Sequence, residues 1–600
     1  MAKEKFTLAH ITHEAVDHIG GIGTVLAGLI TSKNYQSQVR RTILVGPIQD
    51  HLATDPESRL GDGGTVLYSS IDKIDRVNLA SKLRPVEWAF NVAIVYGKRP
   101  YRLLGEDVTG EAEVLLIDVF QTNPDRLNVF KLRLWQTFGL DSSRYEKSWD
   151  YEEYVRLAEP AFYALTALLN DQDLPCIMFG HEFMGMPAAL AAILDGQEKF
   201  LTVFHAHECA TARHIVEGHP GHDTMFYNVL NQSRHQNRYL EDVFGDHDHL
   251  LRHALVKRAH LCDGIIAVGD RTRDELLWLD PHFSDVPIDL VYNGLPVDRV
   301  DIKSKLQCRQ MLLDYSRLLV GSQPDVLMTH VTRPVISKGL WRDLKVCHAL
   351  DERFVAMGKT AVLYILTTAG GVRRSQDVQA MEKHYGWPIT HREGYPDLVG
   401  PEVSLNRDIE TFNNDHQAIR VVLVNQFGWS RGRIGSRLPE GMTMGDFRRA
   451  TDVEFGLATY EPFGISPLEP LGCGALCVVS SVCGCQSFVN YVSGSEDKPN
   501  VIKADFTQLD RVHCLDELMG MTQAQRDHIE HRVAGEVARQ LFDRLPWTDG
   551  DRALLLDAGQ TLADQMNWDR VVENSLMPML ERITARGHVE TVGARVAVGV

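Results

Sequence analysis

Two carboxylates flank a turn in the stretch "ATYEPFGISPLEPLGCGALCVVSS", which begins at Ala458 and ends at Ser481. Glu461 and Glu469 are eight positions apart. The apolar run "VEFGLATY" just before Glu461 predicts a buried strand, so both acids follow the end of a strand. A ligand with several hydroxyl groups would suit carboxylates in such a loop. The alternative is that Glu461 is a surface acid and that Glu469 only caps a helix.

The turn between the two acids contains Gly464, Ile465 and Ser466. The letters "SPLE" predict a helix start with Ser466 as N-cap, Pro467 at the first helical position and Glu469 closing a capping box. The free N–H groups of a helix start, together with the helix dipole, favour an anion. The loop therefore predicts a site for a phosphate-bearing, hydroxyl-rich ligand such as a sugar nucleotide.

Two cations occupy a second loop, in "HVTRPVISKGLWRDL". Arg333 and Lys338 are five positions apart and follow the predicted strand "DVLMTHVT". Arginine as a planar fork and lysine as a compact charge form a clamp suited to a diphosphate. The alternative is a pair of solvated surface cations.

A glycine-rich turn follows the first predicted strand, in "AHITHEAVDHIGGIGTVLAGL". Gly20, Gly21 and Gly23 allow backbone N–H groups to approach a phosphate closely. A purely structural turn is the alternative for this motif.

Histidines follow two further strands of the first half. "FGHEFMG" carries His181 and Glu182, and "TVFHAHECATARH" carries His205 and His207. Their spacing matches no helix-borne zinc motif, and they lie on two separate loops, so we expect no metal. The run "GCGALCVVSSVCGC" has no paired C-x-x-C knuckles, which favours buried thiols over zinc.

The elements that position these residues alternate between short apolar runs and longer amphipathic ones, which is typical of βα units on parallel sheets. This alternation, which restarts midway along the chain, predicts two α/β domains. We predict an N-terminal Rossmann-like domain over residues 1–295 and a C-terminal nucleotide-sugar-binding domain over 296–564. The tail helices of about 565–600 are predicted to cross back to the first domain. Ligands of open parallel sheets bind at the carboxyl ends of the strands, where these loops lie.

The composition limits the classes of partner that the chain is expected to bind. The formal net charge of −18 argues against nucleic acid and against an anionic membrane. No apolar run is long enough to span a bilayer, and no secretory signal is visible. The ten cysteines form no paired framework, which fits a reducing cytoplasm. A homo-oligomer stays an open alternative.

Taken in order, these motifs resemble the glycogen synthase family, in particular its eukaryotic-type branch. "YEPFGISPLE" resembles the Glu-x7-Glu motif of that family, "RPVISKG" its Arg-x4-Lys pair, and "HIGGIGTVL" its N-terminal glycine loop. "GHEFMG" and "TVFHAHE" resemble its histidine-bearing loops, and "VYNGLPVD" its interdomain hinge. The resemblance implies a retaining glycosyltransferase of the GT-B fold, in which two Rossmann-like domains face an interdomain cleft.

The resemblance also implies roles for the site residues. Glu461 would hold the hydroxyls of the donor sugar and Glu469 those of the ribose, while Arg333 and Lys338 would stabilise the departing diphosphate with the amides of the Gly464–Ser466 turn. His205 would position the sugar, and His181 or Glu182 would border the acceptor. No cofactor or metal is implied. The donor would be UDP-glucose or ADP-glucose, and the acceptor a glucan.

One position departs from the family pattern, which has a lysine just before the glycine loop where this chain has His18.

Two alternatives to glycogen synthesis remain open for this chain. The same fold would serve a small sugar, a sugar phosphate or a lipid-linked acceptor. A protein of another class would bind sugar nucleotides or glucans without turnover.

Overall fold

Two sheets, each with its own helices, organise the chain in this computed structural model, which describes residues 5–16, 20–49, 54–102, 109–196, 199–296, 298–494 and 496–587. The chain divides into two compact units. The first unit comprises Met1–Thr211, Gln236–Gly294 and Trp568–Val600, and the second comprises Ala212–His235 and Leu295–Asn567. The boundaries predicted from the sequence were 295/296 and 564/565.

The sheet of the first unit has ten strands in the described chain, in the order β10-β9-β8-β7-β1-β2-β6-β5-β3-β4. The strands are β1 Phe6–Ile11, β2 Val39–Pro47, β3 Thr65–Ser69, β4 Ile74–Asp75, β5 Ala93–Arg102, β6 Thr109–Asp118, β7 Cys176–His181, β8 Phe200–Ala206, β9 Gly264–Ala267 and β10 Ile288–Leu290. Strands β7 and β8 are buried along their whole length, which explains their continuous apolar sequence.

One edge of this sheet is antiparallel, in contrast to the predicted parallel sheet. Strand β5 runs antiparallel to β6 and to β3, and β3 runs antiparallel to β4. Strand β5 ends at Arg102 and β6 begins at Thr109. Parallel neighbours need a crossover of a dozen or more residues, so a connection this short permits only a hairpin.

The sheet of the second unit has six strands in the described chain, all parallel, in the order β13-β12-β11-β14-β15-β16. They are β11 Val326–Val331, β12 Ala361–Leu366, β13 Ile419–Val424, β14 Val453–Gly456, β15 Leu476–Ser480 and β16 Val501–Ala504. Alternate residues enter different cores: Val326 and Met328 pack in one, and Leu327 packs in the other. The sheet is thus buried on both faces, as its apolar strands predict.

Helices connect the strands of both sheets. The α-helices are α1 Ile22–Thr31, α2 Lys33–Gln38, α3 Ala80–Phe90, α4 Pro124–Phe138, α5 Trp149–Leu168, α6 Glu182–Asp195, α7 Ala210–Gly218, α8 His222–His235, α9 Leu240–Phe244, α10 Leu251–Val256, α11 Asp270–Leu279, α12 Ile302–Val320, α13 Leu340–Met357, α14 Ser375–Tyr385, α15 Pro401–Asp415, α16 Arg431–Ile434, α17 Met444–Ala450, α18 Gly484–Ser493, α19 Leu515–Met519, α20 Gln523–Arg544, α21 Asp549–Gln565, α22 Trp568–Val571 and α23 Met577–Gly587. A π-helical turn, Val572–Leu576, separates the last two. None of the described helices is both long and apolar enough to cross a membrane.

Helix α8 and most of α7 belong to the second unit, although the chain before Ala212 and from Gln236 to Gly294 belongs to the first. The guanidinium of Arg342 donates to both carboxylate oxygens of Asp223, at 3.0 and 2.6 Å. The Thr224 hydroxyl donates to the carbonyl of Phe506 at 2.8 Å. Because Arg342 and Asp223 are both fully buried, this ion pair ties α8 firmly to α13.

The last described helices pack on the first unit. The Trp568 indole lies so close to Gly28 that a Cβ at that position would overlap it, and a Cβ at Gly294 would lie 2.7 Å from it. The Ser32 hydroxyl donates to Asp569 at 2.6 Å. A side chain at either glycine would therefore displace the indole.

Candidate active site

The order of strands reverses between β11 and β14 in the second sheet, and the loops after these two strands carry the predicted donor-site residues. Arg333 and Lys338 follow β11, and Glu461 follows β14. Such a switch point of a parallel sheet opens a crevice at the carboxyl ends of the strands. The sequence therefore places its four charged candidates at the position where this architecture binds ligands.

Backbone contacts join the two loops directly. The carbonyl of Ser337 accepts hydrogen bonds from the N–H of Thr459, at 2.8 Å, and of Tyr460, at 3.1 Å. Gly339 has φ +61°, and a Cβ there would overlap the carbonyl of Leu457. Only glycine fits this position, so the "SKG" sequence allows the two loops to approach each other.

The Lys338 ammonium forms an ion pair with the Glu461 carboxylate. Both side chains are mostly buried, with exposed fractions of 15% and 16%. Arg333 differs: it is exposed, and its guanidinium has no hydrogen-bond or ion-pair partner in the described chain. The site therefore holds one cation that is engaged by its own carboxylate and one that is free.

The turn after Glu461 presents backbone donors. Gly464 has φ +85°, which suits glycine. The turn is fixed to the start of α18, since Cys485 N–H donates to Phe463 carbonyl at 2.8 Å. The N–H groups of Gly464, Ile465 and Ser466 find no acceptor within the described residues. Three free donors thus lie in the loop that contains Glu461.

The predicted helix start after this turn is wrong in detail. Residues Ser466–Cys473 form a 3₁₀ helix whose N-cap is Ile465, and Ser466 donates its hydroxyl to the carbonyl of Val331 at 2.8 Å. Pro470 has no N–H to give to the Ser466 carbonyl, so an α-helical turn cannot form there. Arg448 donates to that carbonyl instead, at 2.6 Å.

Glu469 is held by the same arginine rather than by a capping box. Its carboxylate lies 3.2 Å from the Arg448 guanidinium and is 37% exposed. Arg448 also pairs at 2.8 Å with Glu454, a fully buried carboxylate on β14. Burial raises the pKa of Glu454, and the positive charge of Arg448 opposes that rise. Arg448 thus fixes Glu469 beside the turn while leaving part of the carboxylate open.

The first sheet has its own switch point, between β1 and β7. The glycine loop follows β1, and one of its donors is already used, since Gly23 N–H donates to the Glu14 carboxylate at 2.6 Å. A Cβ at Gly20 would lie 2.8 Å from the same carboxylate, and Gly21 is open. The anion at this loop is therefore a side chain of the protein itself. His18 lies outside the described residues.

His181 and His205 end neighbouring parallel strands and pair in register across β7 and β8. Nε2 of His181 forms a hydrogen bond with Nδ1 of His10 at 2.9 Å, and Nδ1 of His181 forms one with Nε2 of His207 at 2.8 Å. His205 is buried, with 3% exposure, and neither of its ring nitrogens has a partner. Burial lowers the pKa of all four imidazoles, to about 3 for His10 and His207. The cluster is therefore neutral at pH 7.

Glu182 follows His181 and opens α6 with φ +57°, an uncommon conformation for a residue with a side chain. Its carboxyl accepts from Glu208 N–H at 2.6 Å, and its second oxygen is buried without a partner. Burial, and then the negative charge of Glu208, raise the pKa of Glu182 well above its ordinary value. The strained backbone and the perturbed acid mark this position as a candidate functional site.

The sequence interpretation missed Glu14, Arg448 and His10. Glu14 stands in "THEAVDHIGG" nine positions before Gly23, so an acid ahead of the loop was a visible signal. Arg448 and His10 gave no local signal, because the site residues that they contact, Ser466 and His181, are 18 and 171 positions away.

Comparisons with known proteins support the fold. No family model matches the chain, and a search of curated proteins gave no match. Among solved structures, a UDP-forming alpha,alpha-trehalose-phosphate synthase from Burkholderia xenovorans has a TM-score of 0.50 and 12% identity, covering 96% of this chain and 99% of that chain. The N-terminal domain of a trehalose-6-phosphate phosphatase from Candida albicans has a TM-score of 0.51 and 10% identity, covering 98% of each chain.

These likenesses extend over nearly the whole chain and, with the two doubly wound sheets, confirm the predicted GT-B fold with two Rossmann-like domains. At this level of identity they show the fold alone. These two solved structures are named as trehalose-phosphate proteins, and membership of the glycogen synthase family stays a prediction.

Proposed function

We propose that the chain is a retaining glycosyltransferase that moves a hexosyl group from a nucleoside diphosphate sugar to a sugar phosphate. One observation carries the donor assignment. A free arginine, a lysine paired with a carboxylate and three unpaired N–H groups follow β11 and β14, on either side of a switch point. A diphosphate is the ligand that such a set of donors fits best.

The reaction breaks the bond between the anomeric carbon and the diphosphate oxygen and forms one to the acceptor oxygen. Arg333, Lys338 and the N–H groups of the 464–466 turn would stabilise the negative charge that develops on the leaving diphosphate. The proton of the acceptor hydroxyl would pass to the leaving phosphate oxygen. Because these donors supply positive charge, the transfer step itself needs no metal.

The carboxylates would orient the sugar nucleotide. In the free protein Lys338 and Glu461 pair with each other, so a bound diphosphate would compete with Glu461 for the ammonium. Glu461 released in this way would accept hydrogen bonds from the sugar hydroxyls, and Glu469 from the ribose. His205 would contact the sugar, and His181 or Glu182 would border the acceptor, as the sequence resemblance implies.

Fewer observations bear on the identity of the acceptor than on that of the donor. Both neighbours described above are trehalose-phosphate proteins, and one is UDP-forming, which favours a sugar phosphate acceptor and a UDP-sugar donor. A glucan acceptor is the second candidate, since the order of motifs resembles that of the glycogen synthase family.

A direct assay separates these candidates. The protein is incubated with UDP-glucose or ADP-glucose, alone, with a panel of hexose phosphates and with glycogen, and nucleotide release and products are measured. A disaccharide phosphate with the anomeric configuration of the donor supports the proposal, and polymer growth supports the second candidate. Nucleotide-sugar binding without turnover on any acceptor would instead identify a non-catalytic binding protein.

A further inference from the structure

The histidine cluster of the first unit arises from the register of three parallel strands. His181 pairs with His205 across β7 and β8. His10 on β1 pairs with Phe179, two residues before His181. The imidazoles of His10, His181 and His205 therefore project from one face of the sheet. His207 follows the end of β8, and its ring stacks on that of His205. The ring centroids are 4.9 Å apart for His181 and His205, and 4.1 Å apart for His205 and His207.

Three of these rings offer a set of metal ligands. One ring nitrogen from each of His181, His205 and His207 lies within 4.8 Å of the other two. Zinc binds imidazole nitrogen at about 2.0–2.1 Å, so tetrahedral ligands stand roughly 3.3 Å apart. Binding of one ion would therefore require side-chain rotations that adjust these separations to that spacing.

His205 supplies an independent observation. Both of its ring nitrogens are buried and have no hydrogen-bond partner, although a buried polar group without a partner costs about 1–3 kcal/mol. Native proteins retain such a group where something else satisfies it, such as an ion.

The residues behind the cluster resemble the supporting shell of a metal site. A ligating histidine usually donates its second N–H to an acceptor that fixes the ring. With Nδ1 of His181 on the metal, its Nε2–H would donate to Nδ1 of His10 at 2.9 Å. Nε2 of His10 lies 3.4 Å from the Tyr35 hydroxyl, which is 2.9 Å from Thr42 Oγ1. One continuous chain of donors thus orients the ring.

We propose that His181, His205 and His207 bind one Zn²⁺-class transition-metal ion, with the fourth coordination position open to water or to a ligand oxygen. Imidazole ligands suit zinc and its neighbours rather than magnesium or calcium. The three ligands belong to the first unit, whereas the diphosphate-binding groups proposed above belong to the second, and the metal proposal does not rest on the proposed function. An ion there would occupy His205 and so inhibit any transfer that needs this ring.

A second cluster provides a matched control. Ligand atoms of Glu241, Asp248 and His253 also lie within 4.8 Å of one another. However, Glu241 pairs with Lys257 at 2.6 Å, and His253 Nδ1 is 2.9 Å from the Thr211 hydroxyl. Glu241 and one nitrogen of His253 are thus engaged, whereas Nε2 of His253 and Oδ1 of Asp248 are buried without a hydrogen-bond partner. We expect the histidine cluster to bind first, because the Lys257 ammonium beside Glu241 repels a second cation.

The test titrates the chelator-treated full chain with Co²⁺, followed by visible absorption, and with Zn²⁺, followed by equilibrium dialysis and metal analysis. We expect one tightly bound equivalent. His205→Gln and the less buried His207→Gln should each weaken binding by at least about tenfold, and His10→Gln by about 10–100-fold. His253→Gln should leave the affinity unchanged. Circular dichroism establishes that each variant is folded.

Two outcomes would overturn the proposal. The first is a wild-type chain that takes up no Co²⁺ or Zn²⁺ at micromolar concentration. The second is uptake that His253→Gln abolishes and His207→Gln leaves intact. Because binding is measured without substrate, either result is independent of whether the chain transfers sugars.

Discussion

At the scale of single residues, the donor loop combines an unpaired cation with a paired one. Arg333 is exposed and unpartnered in the described chain, whereas Lys338 pairs with Glu461 in a mostly buried position. The two cations should therefore respond differently to substitution. If the proposed function holds, removing Arg333 would delete only a ligand contact, whereas removing Lys338 would also leave the Glu461 carboxylate without its partner.

Arg333→Ala should weaken UDP binding by roughly tenfold or more, because a charge-assisted hydrogen bond is worth about 1.5–3 kcal/mol. The melting temperature should stay unchanged, since the side chain is exposed and unpaired. Titration calorimetry with UDP and thermal melting measure both effects. Arg407→Ala, at an exposed arginine on α15, is the control. Equal affinities for the two variants would exclude Arg333 from the site.

Glu461→Ala separates binding from turnover. The substitution frees the Lys338 ammonium, so affinity for the bare diphosphate should be retained or should increase. Turnover should fall by at least about a hundredfold, because the carboxylate that orients the sugar is lost. Steady-state kinetics beside UDP calorimetry give both quantities. Unchanged turnover would remove Glu461 from the chemistry.

Sequence reasoning reached these residues because each follows a strongly apolar strand and carries a charge in a short motif. It did not reach Glu14, although Glu14 lies close to the glycine loop, since an acid beside a predicted phosphate loop looks unfavourable. In the structure that acid accepts the Gly23 N–H. The identity of an anion that fills such a loop depends on side-chain placement, which spacing alone does not specify.

At the scale of elements, a buried carboxylate ties α13 to α20. Glu530 accepts from Arg342 at 2.8 Å, from Lys345 at 2.5 Å and from the Trp341 indole at 3.0 Å. Burial alone would raise the pKa of Glu530, but the charges of Arg342 and Lys345 outweigh it and lower the pKa to about 2. The contact therefore stabilises the fold only while Glu530 is ionised.

Glu530→Gln should lower the free energy of unfolding by about 3 kcal/mol at neutral pH. This figure follows from the difference between the folded-state pKa of about 2 and the ordinary pKa of a glutamate, near 4.3. A carboxylate with a lowered pKa stabilises the folded state fully when the pH is above its pKa in the unfolded state. This stabilisation is lost as the pH falls toward its pKa in the folded state. The difference from wild type should thus stay constant from pH 7 to about 5 and narrow below about pH 4.5. Urea unfolding at several pH values measures it.

Glu536→Gln, on the exposed side of the same helix, is the matched control for that experiment. Its pair with Arg532 is an exposed i,i+4 contact at 3.2 Å, so its loss should cost less than about 0.5 kcal/mol. A gap between wild type and Glu530→Gln that keeps its size down to pH 3.5 would contradict the assigned ionisation.

The strands themselves were largely predictable. Runs such as "FLTVFH" and "ALCVVSS" are mainly apolar because their strands are buried along their whole length. The antiparallel edge and the short strands β3 and β4 were missed, since they carry mixed polar sequence at the sheet margin. The 3₁₀ helix after Glu461 was missed because Pro470, three positions after Pro467, outweighs the capping residues.

At the scale of the whole molecule, both units are assembled from separate pieces of chain. The second unit takes Ala212–His235 from the N-terminal half, and the first takes the segment from Trp568 onward. Sequence patterns indicated a returning tail but not the early segment. The ion pair that fixes that segment joins residues 119 positions apart, a distance that no local pattern reveals.

Trp568→Ala should destabilise the protein by about 3–5 kcal/mol, because it removes a large buried indole from a surface shaped by two glycines. Removal of all residues after Asn567 should cost more, with loss of the folded first unit. Thermal unfolding and near-ultraviolet circular dichroism measure both. Trp88→Ala, at an indole that is 76% exposed, is the control and should have little effect. A truncated chain with unchanged melting would show that the tail is dispensable.

The late position of Trp568 in the chain has a consequence for synthesis on the ribosome. The glycine-lined surface that receives its indole is made early, with Gly28 and Gly294, but the indole itself emerges only after residues 295–567 have been translated. At about 5–20 residues per second that interval lasts on the order of tens of seconds. Throughout it the nascent first unit presents an unfilled apolar surface, so chaperone capture of the growing chain should be concentrated in this interval and end when the last helices dock.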